Sequence, residues 1–327
     1  MNAVRRNKTS VQSRKRVSGS DSDHAGEQQP ESEQGLIVAN HGVHVAVRDH
    51  NGRFWNCTRR KNIETVVAGD MVVWNAEDNH SGVVTRLLPR RSLLARPDKS
   101  GKMKPVAANI DQLIITTAVS PGLNKNLIDR YLVATELIGG TPIIVVNKVD
   151  LLNDRQHDNI EHEVSAYRAV GYRVLITSAK QTLGIDSLSD TLRNHTSVFV
   201  GQSGVGKSSL INALVPDQDI RIAALAEAID HGMHTTTTTM LYDLPHGGRI
   251  IDSPGIREFG LWHVTPREVE RGFIEFRPYL DKCKFNDCLH DAEIGCAVKS
   301  AVAKGEIDSN RFESYLNILS ELKDTAG

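Results

Sequence analysis

The chain has 327 residues, is 39% hydrophobic and carries a formal net charge of −1. That length serves two or three domains, each with its own core, and the near-neutral balance excludes a global electrostatic field as the means of holding nucleic acid, which leaves local patches. No apolar run approaches membrane-spanning length, the N-terminus lacks the apolar stretch of a signal peptide, and four cysteines are too few for a secreted disulfide framework, so a cytoplasmic protein with no membrane partner is expected.

Residues 1–34 begin with Arg5, Arg6, Lys8, Arg14, Lys15 and Arg16 and then turn acidic and polar. Such a segment buries too little apolar surface to offset its ordering entropy, so a disordered tail is expected, either a basic arm for RNA or a merely solvated one. From Gly35 to Pro89 short β runs alternate with turn signals. Leu36–Ala39, Val43–Arg48, Arg53–Thr58, Met71–Asn75 and Val83–Leu88 are five candidate strands, with a hairpin turn at Asp49-His50-Asn51-Gly52. Five short strands in so few residues fit a small barrel of the OB type, a fold that often holds single-stranded nucleic acid. Arg48, Arg53, Arg59, Arg60 and Lys61, with Phe54 and Trp55 among them, offer a basic face with a stacking ring for RNA; the alternative is a core ring and solvated charges.

The stretch from Pro89 to Pro105 is basic and proline-marked and reads as a linker. Strands and helices then alternate: a strand at 110–118, a helix at 125–138, a strand at 142–146, a helix at 155–170, a strand at 173–177, a helix at 185–194 and a strand at 197–200. Two further strands, 239–244 and 249–252, flank the turn His246-Gly247-Gly248. The pattern predicts a mostly parallel six-stranded sheet with helices on both faces and one antiparallel edge pair. The expected division is a tail at 1–34, an OB domain with linker at 35–105, an α/β P-loop domain at 106–262 and a small α-helical metal-binding domain at 263–327.

Gly201, Gln202, Ser203, Gly204, Val205, Gly206, Lys207, Ser208 and Ser209 contain G-x-x-x-x-G-K-[ST] between a strand and a helix. Glycines let backbone N–H groups curl round phosphates, and the helix N-terminus adds its positive dipole end. Lys207 reaches the β/γ oxygens and Ser208 ligates magnesium, which defines a nucleoside triphosphate site. After the strand ending at Val146 comes Asn147-Lys148-Val149-Asp150. A carboxylate at Asp150 accepts both N–H groups of guanine's Watson–Crick edge, which adenine does not offer, while Asn147 serves the ring acceptor and the Lys148 stem lies along the base. Ser178-Ala179-Lys180, after the next strand, brings a backbone amide to the guanine oxygen. Asp252-Ser253-Pro254-Gly255 fits D-x-x-G: Asp252 holds magnesium through water and the Gly255 N–H meets the γ-phosphate. The run His234-Thr235-Thr236-Thr237-Thr238-Thr239 supplies a hydroxyl, with Thr235 foremost, to complete the magnesium shell. Base-reading elements thus precede phosphate-reading ones, the reverse of ordinary small GTPases. The segment after Asp252 leads directly into a further domain.

In these motifs, N-K-x-D at 147–150, G-Q-S-G-V-G-K-S-S at 201–209, H-T-T-T at 234–237, D-S-P-G at 252–255 and the cysteine cluster at 283–296, the chain resembles the circularly permuted, ribosome small-subunit-dependent GTPase A (RsgA, also called YjeQ) family over roughly residues 35–320. The resemblance implies an N-terminal OB domain, a permuted GTPase domain and a C-terminal zinc domain. It further implies GTP hydrolysis in late maturation of the small ribosomal subunit, stimulated by that subunit and its rRNA. The long tail departs from a minimal member. In Ras-like enzymes a glutamine after D-x-x-G orients the attacking water; here Ile256 stands there and has no means of doing so. The resemblance points instead to His234, which either orients water or is a hydrogen-bonding residue of the loop.

Cys283-x4-Cys288-x-His290-x5-Cys296 offers three thiolates and one imidazole within one loop, a set suited to one structural zinc ion, with helices expected at 294–303 and 311–322. Lys282, Lys284, Lys299 and Lys304 surround it as RNA-contacting or solvated charges. Cys57 reads as a small core residue. Two other functions compete with the GTP-hydrolysing assembly factor. One is a nucleotide-gated RNA-binding module in which hydrolysis is incidental; the other is a P-loop kinase, in which N-K-x-D has no role. A monomer binding GTP and GDP is expected.

Overall fold

The computed structural model describes residues 32–77, 80–98, 100–216, 239–252, 261 and 264–325. The first five strands are β1 (Glu33–His41), β2 (His44–Arg48), β3 (Phe54–Arg59), β4 (Met71–Ala76) and β5 (Ser81–Leu87). They pair in the order β1-β2-β3-β5-β4, and β1 also pairs with β4, so the sheet closes on itself as the expected five-stranded barrel. Closure leaves the barrel no unpaired edge except where β1 runs past its barrel partners. Inward positions alternate along each strand, and Ile37, Val45, Val47, Cys57, Val66, Val72, Trp74 and Val84 fill the interior. Cys57 is fully buried, and burial pushes its thiol up to about 12, as befits a core residue.

Alternation also decides the two aromatic rings of β3. Phe54 packs toward the larger core, whereas Trp55 packs toward the barrel interior, tilted against Trp74 at 4.9 Å and donating Nε1–H to Asp49 Oδ2 at 3.0 Å. Both rings are half-buried, and the basic residues around them do not share one face. Arg48 pairs with Asp243 and Arg59 donates to the Ile63 carbonyl, while Arg53, Arg60 and Lys61 are exposed.

The stretch expected to be a linker is partly ordered. Leu93–Pro97 (β6) and Met103–Ala108 (β7) form an antiparallel ribbon, because Leu94, Ala107 and Ala108 find buried positions against the main core. At its base, Arg90 grips the buried Asp70 with two 2.7 Å hydrogen bonds, and Arg91 pairs with Asp111 at 2.7 Å, which pins the connection on both sides.

The second sheet contains β8 (Gln112–Ala118), β9 (Thr141–Asn147), β10 (Arg173–Ile176), β11 (Thr196–Val200), β12 (Met240–Asp243) and β13 (Arg249–Asp252) in the order β10-β9-β8-β11-β13-β12. All neighbouring pairs are parallel except β12–β13, as the alternation of elements predicts. Strand β8 is buried throughout: Leu113 and Ile115 face one core, Ile114 the other. Helices α1 (Lys125–Leu137) and α2 (Asp154–Val170) cover the first face through Leu132, Ile160 and Val164. Helices α3 (Ile185–Leu192) and α4 (Lys207–Leu214) cover the second through Leu188, Leu192, Leu210 and Ile211. The edge strand β12 also pairs with β1 at Ala39 and Met240, so the barrel and the parallel sheet form one continuous hydrogen-bonded surface.

The C-terminal part contributes α5 (Pro266–Gly272), α6 (Ala297–Ala303) and α7 (Ser309–Thr325). Its core of Val269, Phe273, Phe276, Val298, Tyr315, Ile318 and Leu319 takes in Val133 from α1, so it is seated on the parallel-sheet domain. Arg311, 2% exposed, is buried in that junction. Its guanidinium bonds Asp129 of α1, makes a two-pronged contact with Glu275 and lies 4.7 Å from the Phe273 ring centroid. No described helix is long and apolar enough to cross a membrane.

Candidate functional site

The parallel strands β8, β9, β10, β11 and β13 place their carboxyl ends on one side of the sheet, which is where an open parallel sheet accommodates a nucleotide. The loop leaving β11 needs glycine at two places. Gly201 has φ 136°, and a Cβ there would lie 2.0 Å from the Thr116 carbonyl oxygen; Gly206, at φ 94°, would place one 2.4 Å from Asn147 Nδ2. Both contacts join the phosphate loop to the neighbouring strands. Lys207 opens α4, is 8% exposed, and folds back so that Nζ donates to the carbonyls of Gly201 at 2.6 Å and Gln202 at 2.7 Å. Its ammonium therefore lies within the curve of the loop, while Ser203, Gly204, Ser208 and Ser209 are exposed to the approaching ligand.

Asn147, 1% exposed, links three segments. Its Nδ2 donates to the Val205 carbonyl of the phosphate loop at 3.0 Å, and its Oδ1 accepts from the Ala179 amide at 3.2 Å and the Thr177 hydroxyl at 3.3 Å. Lys148 follows with φ 64°, a left-handed conformation disfavoured for a side chain with a Cβ and held here by its surroundings. Its Nζ donates to the Ser120 carbonyl at 3.2 Å, which stretches the stem across the site. Asp150 accepts from the Ser178 hydroxyl at 2.5 Å. Ser178 is itself fixed by a tight turn, its amide and carbonyl paired with those of Leu183 at 3.0 and 3.1 Å; Lys180 is exposed at the tip.

Strand β13 runs parallel to β11, with Val198 opposite Ile251, so Asp252 at its carboxyl end lies on the same side of the sheet as the loop that leaves β11 and leads into α4. His234, Thr235, Ile256 and Gly255 lie outside the described residues, as does the 1–31 part of the expected tail.

The expected metal ligands converge. Cys283 Sγ, Cys288 Sγ, Cys296 Sγ and a His290 ring nitrogen lie within 4.8 Å of one another. His290 Nδ1 is 3.5, 3.4 and 3.3 Å from the three sulfurs in that order, and the Cys283 and Cys296 sulfurs are 4.0 Å apart. A tetrahedral zinc ion with ordinary bond lengths calls for sulfur–sulfur and sulfur–nitrogen separations of about 3.8 and 3.6 Å, so the cluster fits zinc. Burial pushes the Cys288 thiol up to about 12 and raises Cys296 as well, so three thiolates this close need a cation to stay deprotonated. Burial raises Cys283 too, but the amides of Ala297 and Val298 outweigh it and hold that thiol below the ordinary range. Cys296 caps α6, accepting from the Lys299 amide at 3.4 Å, which is why the helix begins at Ala297 rather than at the expected Ile294.

Three features gave no sequence signal: the Ser120 carbonyl under Lys148, Arg311 with its acidic partners, and Glu270, whose Oε2 lies 3.2 Å from His290 Nε2. Each is a contact between residues far apart in the chain, without the spacing that marks a motif.

Residues 87–262 match the RsgA GTPase family. Proteins called small ribosomal subunit biogenesis GTPase RsgA are similar over most of the chain. That of Hahella chejuensis is 47% identical over 296 residues, covering 89% of this chain and 85% of its own length. That of Chromohalobacter salexigens is 50% identical over 302 residues, covering 91% and 88%. Among solved structures, YjeQ from Thermotoga maritima superposes with a TM-score of 0.75 at 32% identity, covering 89% of this chain and 99% of that one. YloQ, described as a circularly permuted GTPase, superposes at 0.73 with 30% identity, covering 93% and 99%. With its base-reading loops ahead of its phosphate loop on one parallel sheet, and this similarity running through barrel, sheet and cysteine cluster, the chain belongs to the RsgA GTPase family.

Proposed function

We propose that this protein hydrolyses the β–γ phosphoanhydride of GTP and acts as a late assembly factor of the small ribosomal subunit, binding its rRNA and being stimulated by it. The observation that carries the nucleotide part is Asn147, whose one amide group bonds both the phosphate loop and the Ala179 loop, so that the base-reading and phosphate-reading segments form one rigid receptor. Asp150 and Lys148 select guanine with Asn147, and Ser178, Ala179 and Lys180 close over the base. Gly201 through Ser209 cradle the phosphates, with Lys207 exchanging its two loop carbonyls for β/γ oxygens. Ser208, Asp252 and Thr235 would hold magnesium, which neutralises charge developing on the phosphates. Gly255 donates its amide to the γ-phosphate. With Ile256 in the glutamine position, His234 orients the attacking water.

The relatives named small ribosomal subunit biogenesis GTPases support the ribosomal role. Contact with rRNA falls to the exposed Arg53, Arg60 and Lys61 of the barrel and to the lysines round the zinc loop. In this reading the tail occupies 1–34, the barrel and its connection 35–105, the GTPase domain 106–262 and the zinc domain 263–327. The protein works in the cytoplasm as a monomer that cycles between GTP and GDP. Equilibrium binding of fluorescent GTP and ATP tests the receptor. The protein should prefer GTP strongly, and Asp150→Asn should reduce that preference at least about 100-fold, because the discriminating carboxylate is gone. Equal affinities in the parent, or an unchanged ratio in the variant, would refute it.

A further inference from the structure

The zinc loop places one histidine between two demands. His290 is 1% exposed, and its Nδ1 faces the three sulfurs at 3.3–3.5 Å. A neutral imidazole that gives its Nδ1 lone pair to a metal must carry its proton on Nε2, and a buried N–H needs an acceptor. Glu270 Oε2, on a side chain 2% exposed, lies 3.2 Å from Nε2 at ion-pair distance, and both are buried atoms with no hydrogen bond satisfied elsewhere among the described residues. The other carboxylate oxygen accepts from Arg267 Nη1 at 3.0 Å, which fixes the head group and offsets its charge. Phe276 meets the imidazole edge-on at 6.3 Å and Tyr315 packs beside it at 6.1 Å, so the ring is held in the orientation that serves both nitrogens.

We propose that Glu270 is a positioning residue of the zinc centre: it accepts the Nε2–H of His290, fixes the tautomer that presents Nδ1 to the ion, and makes that nitrogen a stronger donor. Glu270 stands on α5, the first described helix after Asp252. Thr265 and Glu268 cap its start reciprocally and Val269 anchors it in the core. The Glu270–His290 contact therefore joins the metal centre to the chain segment leaving the sheet edge where Asp252 sits.

The test is competition for zinc by a chromophoric chelator, with the full-length protein and the variants Glu270→Gln, Glu270→Ala and Val269→Ala, together with absorption spectra of the cobalt-substituted forms. Glu270→Ala should release zinc at about 10–100-fold lower chelator concentration and alter the cobalt spectrum. Glu270→Gln keeps the volume and one acceptor and should give a smaller, measurable weakening, which decides the matter even if the alanine variant fails to fold. Val269→Ala loosens the same helix without touching the histidine and should hold zinc as the parent does. Unchanged zinc retention in Glu270→Gln, or equal loss in Val269→Ala and Glu270→Ala, would overturn the proposal. A parent protein without zinc would overturn the metal reading on which it rests.

Discussion

At the scale of single residues, the proposed site separates positions that would read the substrate from the one that would act on water. Asn147, Lys148 and Asp150 are held by bonds within the protein, so their geometry exists before a nucleotide arrives, while Lys207 rests on two loop carbonyls that phosphate oxygens would replace. The water-orienting role has no such scaffold in Ile256 and is assigned to His234. Replacing His234 by alanine should lower subunit-stimulated single-turnover hydrolysis by about 10²–10⁴-fold while leaving GTP affinity nearly intact, since the imidazole acts on the transition state. GTP affinity that falls as far as turnover, or a stimulated rate that stays unchanged, would make His234 a loop residue and return the water to a backbone group, a threonine or the rRNA.

At the scale of elements, the C-terminal part depends on a metal loop and a buried charge. Its core mixes a modest set of apolar side chains with Cys288 and Cys296, so ligand bonds supply stability that a core this small lacks. Purified protein should contain about one zinc per chain, and Cys288→Ser should lose both the ion and the helical signal of that part. A folded, zinc-free variant, seen by metal analysis and circular dichroism, would contradict this. Arg311 lies between Asp129 and Glu275 in a site with almost no water access. Removing it strands the buried Asp129 carboxylate and the part-buried Glu275, so Arg311→Ala should cost about 3–5 kcal/mol in denaturant unfolding. A loss below about 1 kcal/mol would mean the junction is far wetter than its burial implies.

Motifs and periodicity made much of this legible. The alternation of apolar strands such as Leu113–Ile115 with helical patterns announced a parallel sheet, and spacing alone grouped Cys283, Cys288, His290 and Cys296. What stayed hidden is non-local. The ribbon at Leu93–Ala108 reads as a linker because the stretch is basic, has a polar turn at 98–102 and carries Pro97 and Pro105; burial of Leu94 and Ala107 against the rest of the molecule orders it. The basic cluster from Arg48 to Lys61 reads as one surface until pairing turns Arg48 toward Asp243. Arg311 and Glu270 meet partners that no local pattern specifies.

At the scale of the whole molecule, the barrel is an extension of the GTPase sheet. Strand β1 adds to β12, and β12 lies in sequence between the threonine run and the D-S-P-G element, the two segments proposed to meet the γ-phosphate and its magnesium. The chain after D-S-P-G continues into α5 and the zinc loop. The barrel and the zinc-loop part are thus both attached at the strand pair β12–β13, and if, as proposed, that edge senses the nucleotide, reciprocity requires that a partner favouring one nucleotide state alter the fate of the nucleotide. The most direct measurement is GTP turnover by the protein alone and with purified small ribosomal subunits, at matched protein concentration and with large subunits as control. The account predicts slow intrinsic hydrolysis raised by at least about 10-fold with small subunits only, and lost with Lys207→Ala in both settings. Turnover that small subunits leave unchanged, or that both subunits raise equally, would contradict it.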